Sequence, residues 1–254
     1  MISLSSKDKT ILVFSDPHQE IDKVEKIIKA EAPDITACLG DWYDSHHRDS
    51  EEDVRKTCEF LAKNANNENF YTLIGNHDVS YIWAIFDRYT QCSGYSRSKA
   101  MMIKTFFEKQ NIDIKKKFLW YFWIDNVLCT HAGLNAKHLP ARGTTVKKES
   151  LSKFLDKEVE DAESILSSGG GSHWIYRAGY ARGGSQPVGG LTWQDFMDEH
   201  RPIHKLKQLF GHTHSHDNTI KTFNRFDDTC IDTGLNEYLL IRNGEYIIKK
   251  FADL

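Results

Sequence analysis

The chain has 254 residues, of which 40% are hydrophobic and 27% are charged, and its formal net charge at pH 7 is −3. This balance is typical of a globular protein with a sizeable core. It argues against long nucleic acid as a partner, because such a partner needs a basic surface. No segment is apolar over a membrane-spanning length, so we expect no membrane partner.

The cysteines and the first residues of the chain indicate the compartment. Five cysteines are scattered along the sequence without a CxxC pair, which argues against a disulfide framework or a zinc knuckle. The first ten residues lack the apolar run of a signal peptide. We therefore expect a cytoplasmic protein.

Short apolar runs alternate with amphipathic stretches in the first half of the chain. The apolar runs predict strands at residues 11–14, 35–39 and 70–74, and the apolar spacing predicts helices at residues 20–32 and 51–64. Strands and helices that alternate with short connections predict a mostly parallel α/β core.

The second half of the chain is richer in strand signals. Two apolar runs within residues 119–130 flank Asp125-Asn126, which predicts a hairpin. Further strands are predicted at residues 209–210, 220–223, 230–231, 238–241 and 246–248. We expect these strands to form a β-rich layer packed beside the first.

Two segments lack a clear scaffold pattern, and we expect them to be inserts in a single domain that spans residues 1–254. Residues 81–99 are rich in aromatic side chains, which would either stack a nucleotide base or form a small core under the loop. Residues 167–190 contain eight glycines, and this composition predicts a long loop or flexible lid.

Five short polar clusters each follow directly after an apolar run. The clusters are Asp16-Pro17-His18, Gly40-Asp41-Trp42-Tyr43-Asp44, Gly75-Asn76-His77-Asp78, Thr130-His131-Ala132-Gly133 and Gly211-His212-Thr213-His214. This position puts each cluster at the carboxyl end of a predicted strand, where α/β sheets bind ligands. Carboxylate, imidazole and amide groups are ligands of divalent Mn, Fe, Zn or Ni. One such cluster alone is typical of a turn or a helix cap, but five in the same structural position predict a shared metal site.

The order of the clusters resembles the calcineurin-like metallophosphoesterase superfamily, whose pattern is D-x-H, G-D-x-x-D, G-N-H-D/E, a later histidine and G-H-x-H. The resemblance runs from Asp16 to His214, roughly four-fifths of the chain. It implies a four-layer α/β/β/α sandwich of two mixed β-sheets flanked by helices. A finer similarity, in residues 92–95 and 191–213, is to phage and bacterial members that are Ser/Thr phosphatase-like or dinucleoside tetraphosphatase-like.

The resemblance also implies a ligand set for two divalent metal ions, with Mn expected first and Fe, Zn or Ni as alternatives. One metal would be held by Asp16, His18 and His214, and Asp41 would bridge to the second. The second metal would take Asn76, His131 and His212.

The histidine next to Asn76 has a different implied role. In the family this position, here His77, is not a ligand, so His77 would act as a general acid on the leaving oxygen or steady the developing charge. Asp78 would hold and orient His77, as a carboxylate beside an imidazole usually does.

The implied reaction is hydrolysis of a phosphomonoester by metal-activated hydroxide. Two metals about 3.5–4 Å apart lower the pKa of a bridging water and clamp the phosphate oxygens. The substrate would be a small phosphorylated molecule, a nucleotide or a phosphoprotein, and the sequence does not fix the oligomeric state. The alternatives are a phosphodiester or nucleotide-anhydride hydrolase and, after it, a non-catalytic binding protein.

One position departs from the family pattern. Protein Ser/Thr phosphatases usually carry an arginine directly after G-D-x-x-D, whereas Ser45 stands here. The phosphate would then be gripped by Arg48, Arg177 or Arg182, because a guanidinium fork suits phosphate. We prefer Arg182, which lies in the glycine-rich segment, whereas Arg48 lies among acidic residues.

Overall fold

The computed structural model describes residues 1–45, 47, 49–83, 87, 89–140, 146–223 and 227–254. Within these residues, twelve strands form two six-stranded mixed sheets. The strands are β1 (Ser3–Leu4), β2 (Thr10–Phe14), β3 (Ile35–Cys38), β4 (Phe70–Leu73), β5 (Phe118–Leu119), β6 (Tyr121–Ile124), β7 (Val127–Thr130), β8 (Lys207–Phe210), β9 (Lys221–Phe223), β10 (Asp228–Cys230), β11 (Glu237–Arg242) and β12 (Glu245–Lys250). The α-helices are α1 (Ile21–Glu31), α2 (Glu51–Asn64), α3 (Asn76–Ile82), α4 (Arg97–Lys109) and α5 (Lys148–Ser167).

The first sheet has the strand order β12-β11-β2-β3-β4-β5. Strands β2 to β5 are parallel to one another. On the β2 side of the sheet, β11 is antiparallel to β2, and β12 is antiparallel to β11. Helix α1 connects β2 to β3, and α2 connects β3 to β4. The parallel α/β core that the sequence predicts is confirmed.

The second sheet has the strand order β1-β6-β7-β8-β10-β9. Strands β6 and β7 form the predicted hairpin around Asp125-Asn126, with Ile124 opposite Val127. Strands β7, β8 and β10 run parallel to one another, and β9 is antiparallel to β10.

Alternation along β2 shows how the layers pack. Ile11 and Val13 belong to the core between the two sheets, whereas Leu12 and Phe14 pack with α1 and α2. All four side chains are almost fully buried, and each burial contributes roughly 1.5–3 kcal/mol. On the far side of the second sheet, the indole of Trp123 donates to Ser152 of α5 at 3.0 Å. The four-layer α/β/β/α sandwich is therefore confirmed.

Two strand assignments differ from the sequence prediction. The last two strands, β11 and β12, do not join the second layer but return to the first sheet, where Leu239 pairs with Val13. Strand β11 is buried on both faces, because Leu239 belongs to the core between the sheets and Tyr238 to the core under the helices. Such a strand suits an interior position in a sheet that is covered on both faces.

The two predicted inserts also contain more structure than expected. Helix α3 extends into the first insert as far as Ile82, and α4 begins at Arg97. The second insert is a long connection, as predicted, with two short 3-10 turns at Trp174–Tyr176 and Tyr180–Arg182. It is anchored by the carboxylate of Glu199, which accepts hydrogen bonds from the backbone amides of Ala181 and Gly189. This anchoring does not favour the flexible-lid interpretation. No helix among the described residues is long and apolar enough to cross a membrane.

Candidate metal centre

The five polar clusters meet at one edge of the molecule. Asp16 follows β2, Asp41 follows β3 and Asn76 follows β4 in the first sheet, while His131 follows β7 and His212 follows β8 in the second. Because these strands are parallel within each sheet, their carboxyl ends lie together. The turns are tight: a Cβ placed on Gly75 would lie 2.0 Å from an oxygen of Asp41.

Four candidate ligands have left-handed backbone conformations. The φ angles of Asp16, His18, Asp41 and His212 are 53°, 39°, 62° and 66°. Non-glycine residues rarely adopt this conformation, and strained backbone of this kind is concentrated at functional sites. In this backbone conformation each turn directs its side chain toward the other candidate ligands.

The ligand atoms form two groups that share one residue. Asp41, His131 and His212 make the first group, and Asp16, His18 and Asp41 make the second. In each group the ligand atoms lie within 4.8 Å of one another. The carboxylate of Asp41 therefore stands between two sets of ligands, where a bridging ligand of two metals would stand.

Backbone carbonyls set the tautomers of two histidines. Nδ1 of His131 lies 2.7 Å from the carbonyl oxygen of Leu39, and Nδ1 of His18 lies 2.9 Å from that of Tyr43. A carbonyl only accepts, so Nδ1 carries the proton and Nε2 is turned toward the site. Both Nε2 atoms face Asp41, His131 at 3.4 Å and His18 at 3.8 Å.

The pKa shifts of the buried candidate ligands bear on whether a cation fits among them. Burial lowers the pKa of His131, but the charge of Asp41 and the hydrogen bond to it outweigh burial and raise the pKa to about 10. Burial and the charge of Asp232 raise the pKa of Asp16 well above its ordinary value. Both shifts favour a bound proton at these two groups, and a divalent cation held there would take the place of those protons.

Asn76 completes the first group. In the orientation that satisfies its neighbours, its side-chain NH2 group donates to Nδ1 of His212 at 2.8 Å, to Nε2 of His131 at 3.0 Å and to Oδ2 of Asp41 at 3.3 Å. The three buried atoms are all acceptors or metal-ligating atoms. The donor set of carboxylate, imidazole and amide therefore fits a borderline divalent cation.

His214, by contrast, does not lie in either group. Its Nδ1 is 3.1 Å from Asp232 and its Nε2 is 3.0 Å from Asn218, and 52% of its side chain is exposed. Asp232 follows β10, which pairs with β8, so this carboxylate lies beside the turn that carries His214. Coordination by His214 would require its ring to leave one of these partners.

The partner of His77 differs from the one that the sequence suggests. Nδ1 of His77 lies 3.1 Å from Oδ2 of Asp44. The carboxylate of Asp78 instead accepts from the backbone amides of Asp41, Trp42 and Gly75 at 2.8–2.9 Å. Asp78 therefore braces the turn that carries Asp41, and the expectation that it orients His77 is corrected. Burial and the charge of Asp41 raise the pKa of Asp78 to about 7.

Asp44, which has no role in the sequence prediction, is the carboxylate beside His77. It is the second aspartate of Gly40-Asp41-Trp42-Tyr43-Asp44, three residues after Asp41. Its carboxylate contacts α3, where Oδ2 lies 3.1 Å from Nδ1 of His77 and Oδ1 accepts from Tyr81. The signal that could have identified it is the second aspartate of this motif.

Only one of the three arginines is described beside the candidate ligands. Nε of Arg182 lies 2.7 Å from Asp195, and Nη2 lies 3.3 Å from the hydroxyl of Thr213, the residue after His212. Burial, then the charge of His131, then that of Arg182 lower the pKa of His212.

The other two arginines have different settings. The guanidinium of Arg177 lies 4.2 Å above the ring of Tyr89 and donates to the hydroxyls of Ser172 and Ser185. The structure therefore places Arg177 against its own segment and Tyr89. Arg48 lies outside the described residues.

Comparisons with known proteins support this description. The family model for calcineurin-like phosphoesterases matches residues 9–216. A cold-active protein-tyrosine phosphatase from a psychrophilic Shewanella species aligns with a TM-score of 0.62 at 15% identity, covering 100% of this chain and 81% of that one. A protein serine/threonine phosphatase from Saccharomyces cerevisiae aligns with a TM-score of 0.51 at 17% identity, covering 99% of this chain and 83% of that one.

At these identities the two structures show a shared fold and nothing further. No curated protein sequence matches the chain. The family match, in contrast, covers most of the chain and all five polar clusters. The chain therefore belongs to the calcineurin-like phosphoesterase family, and it is a metal-dependent phosphoric ester hydrolase.

Proposed function

We propose that the chain hydrolyses a phosphomonoester at a dinuclear metal centre, as one metallophosphoesterase domain spanning residues 1–254. The observation that carries this proposal is the position of Asp41, whose carboxylate belongs to both groups of ligand atoms. Two cations held by one shared carboxylate would be close enough to act on one phosphate.

The ligands are divided between the two proposed metals. Asp16 and His18 would hold the first metal, and Asn76, His131 and His212 would hold the second, with Asp41 between them. His214 is proposed as a further ligand of the first metal. When bound, the two metals would lower the pKa of a water molecule and neutralise charge on the phosphate oxygens. We propose Mn²⁺ as the first choice, with Fe, Zn and Ni as alternatives.

His77 would deliver a proton to the leaving oxygen. Asp44 occupies Nδ1 of His77 at 3.1 Å, so a protonated His77 would present Nε2–H to the substrate. The ring is also fixed edge-on against His18, with 5.2 Å between the ring centroids. A histidine held in this way can act as a general acid.

Arg182 would bind a phosphate oxygen beside the metals. Its guanidinium forms an ion pair with Asp195, and Nη2 contacts the hydroxyl of Thr213. A phosphomonoester carries up to two negative charges in its non-bridging oxygens, so it gains more than a diester from Arg182 and a protonated His77. This balance of charge supports a monoester, either on a small molecule or on a phosphoprotein.

The location that we propose is the cytoplasm. All five cysteines are free, and only Cys92 is more than slightly accessible. Free thiols persist in a reducing compartment.

The test is steady-state hydrolysis by metal-stripped protein reconstituted with Mn²⁺. p-Nitrophenyl phosphate, bis-p-nitrophenyl phosphate and a dinucleoside tetraphosphate would be compared in parallel, with Asp41→Asn as the inactive control. We expect the highest kcat/KM for the monoester. A preference for the diester or the tetraphosphate would replace the proposed substrate class. Two bound metals with no turnover of any of the three would favour a binding protein.

A further inference from the structure

Two side chains that the proposed mechanism has not used, one from α3 and one from α4, converge on Asp44. Lys99, at the start of α4, and Tyr81, at the end of α3, both donate to Asp44. We call these two residues and Asp44 the Asp44 cluster. The cluster contacts His77 through Oδ2 of Asp44.

Lys99 is a buried ammonium group with two carboxylate partners. Its Nζ lies 2.6 Å from Oδ1 of Asp44 and 2.5 Å from Oδ1 of Asp49, and it donates to the carbonyl of Gly94 at 3.3 Å. Lys99 is 7% exposed and Asp44 is 4% exposed. Burying an ammonium group is costly unless it is paired, so its partners are the reason that Lys99 is tolerated there.

The two oxygens of Asp44 have different partners. Oδ1 accepts from Lys99 at 2.6 Å and from the hydroxyl of Tyr81 at 2.6 Å. Oδ2 contacts Nδ1 of His77 at 3.1 Å. Because both outer donors act on Oδ1, the carboxylate cannot rotate without breaking two hydrogen bonds. Oδ2 is thereby left in place for His77.

Neighbouring contacts make the cluster rigid. The rings of Tyr81 and Tyr95 are stacked with 5.3 Å between centroids, and the backbone amide of Ser96 donates to the hydroxyl of Tyr81 at 3.2 Å. Burial and the charge of Asp44 hold the pKa of Tyr81 well above its ordinary value, so its hydroxyl remains a donor.

We propose that Lys99 is a positioning residue for His77, and that it acts through Asp44 with the help of Tyr81. The inference rests on the proposed role of His77 as the group that protonates the leaving oxygen. Lys99 fixes the carboxylate that holds the imidazole, and its positive charge offsets part of the negative charge of Asp44. Without Lys99 the imidazole loses its fixed orientation and delivers its proton less effectively.

The dependence of kcat on the leaving group distinguishes a positioning role of Lys99 from a merely structural one. Phenyl phosphate releases a more basic oxygen than p-nitrophenyl phosphate, so its hydrolysis depends more on protonation by an acid. For Lys99→Met we expect kcat to fall about 10-fold with phenyl phosphate and about 2-fold with p-nitrophenyl phosphate, as part of the about 10²-fold or larger contribution of a general acid. KM and metal content should stay within about 2-fold of wild type.

Two control variants separate the cluster from its surroundings. Lys104→Met makes the same change on the same helix, where Lys104 pairs with Glu108 on the surface, and it should leave both kcat values unchanged. Asp49→Asn removes the outer partner of Lys99 but leaves Asp44 intact, and it should have a much smaller effect than Lys99→Met. An equal effect of Asp49→Asn would mean that Lys99 only ties the loop to α4, and the inference would be wrong.

A double-variant cycle and a spectroscopic measurement complete the test. In a His77→Ala background, Lys99→Met should cause no further loss of kcat, whereas a structural role would lower kcat by the same factor again. The ¹⁵N signals of the His77 ring, assigned by their loss in His77→Ala, should shift in Lys99→Met and stay in place in Lys104→Met.

The spectroscopic result does not depend on turnover. If the ring signals shift but no phosphomonoester is hydrolysed by the wild type, the proposed function fails while the positioning role stands. If the signals do not shift, the positioning role is overturned. Should Lys99→Met fail to fold, Tyr81→Phe removes a donor from the same oxygen without removing a charge, and it should shift the same signals.

Discussion

The backbone amide of His212 donates to both carboxylate oxygens of Asp16, at 3.0 and 3.2 Å. The two residues are 196 positions apart in the sequence, and they follow strands of different sheets, β2 and β8. This contact joins the ends of the two sheets where the candidate ligands converge. The candidate metal site therefore also joins the two sheets. Substitutions of its ligands are expected to weaken metal binding before they disrupt the strand pairing within either sheet.

Asp41 is the residue whose loss should affect both metals. For Asp41→Asn we expect metal content to fall from two ions per chain to less than one, with turnover reduced about 10³-fold or more, since both cations lose a charged ligand. Elemental analysis after dialysis measures the change. Asp113→Asn, which changes a half-exposed carboxylate near Lys116, is the matched control and should bind metal like the wild type. Retention of two tightly bound ions by Asp41→Asn would contradict the bridging role.

Loss of the His77 side chain should lower turnover but leave the metal content unchanged. We expect His77→Ala to lower kcat about 10²- to 10⁴-fold, the range for loss of a general acid, while both metals remain bound. Parallel kinetics and elemental analysis check both statements. His204→Ala, at an exposed position, serves as the control. An empty site in His77→Ala would show that this histidine is a ligand.

Arg182 and Arg177 lie five residues apart in the glycine-rich segment and make different contacts. We expect Arg182→Ala to raise KM for p-nitrophenyl phosphate about 10-fold, because a charge-assisted hydrogen bond of roughly 1.5–3 kcal/mol is lost. Arg177→Ala, whose guanidinium lies over Tyr89, should change KM by less than about 2-fold. The reverse order of effects would transfer the phosphate-binding role to Arg177.

The core between the sheets should dominate stability. Ile241 of β11 is fully buried there, whereas Ile248 of the neighbouring strand β12 is 50% exposed. We expect Ile241→Ala to lower the free energy of unfolding by about 2–5 kcal/mol. Ile248→Ala should cost less than about 1 kcal/mol, because a half-exposed side chain loses less buried area. Urea unfolding of both variants gives the comparison, and equal losses would contradict the assignment of β11 to the interior.

Local patterns in the sequence predicted most of the first sheet. Strand β2 and helices α1 and α2 were recognised because apolar spacing repeats within each element. Helix α5 is not among the sequence predictions, although it carries the same kind of signal, with Leu151, Leu155, Ala162 and Leu166 buried along one face. The placement of β11 beside β2 could not be read from its sequence, since a strand buried on both faces fits either sheet.

The candidate site shows the same division between local and tertiary information. The residue types and order of the five clusters predicted where ligands would gather. The partners of His77 and His214, in contrast, depend on contacts between segments that are separated in the sequence. Asp78 is the neighbour of His77 in the sequence, but Asp44, 33 positions earlier, is the carboxylate that contacts its ring. His214 faces Asp232, which lies 18 positions further along the chain.

The left-handed turns at Asp16, His18, Asp41 and His212 restrict how the centre can be re-engineered. Among residues other than glycine, aspartate, asparagine and histidine are the types most often found in this conformation, and other side chains cost roughly 1–2 kcal/mol there. A library that exchanges these ligands for glutamate or cysteine to select a different metal would pay this backbone cost at each position. Asparagine at Asp16 would keep the turn while removing one charge, so it offers a less disruptive route to weaker metal binding than glutamate or cysteine at that position.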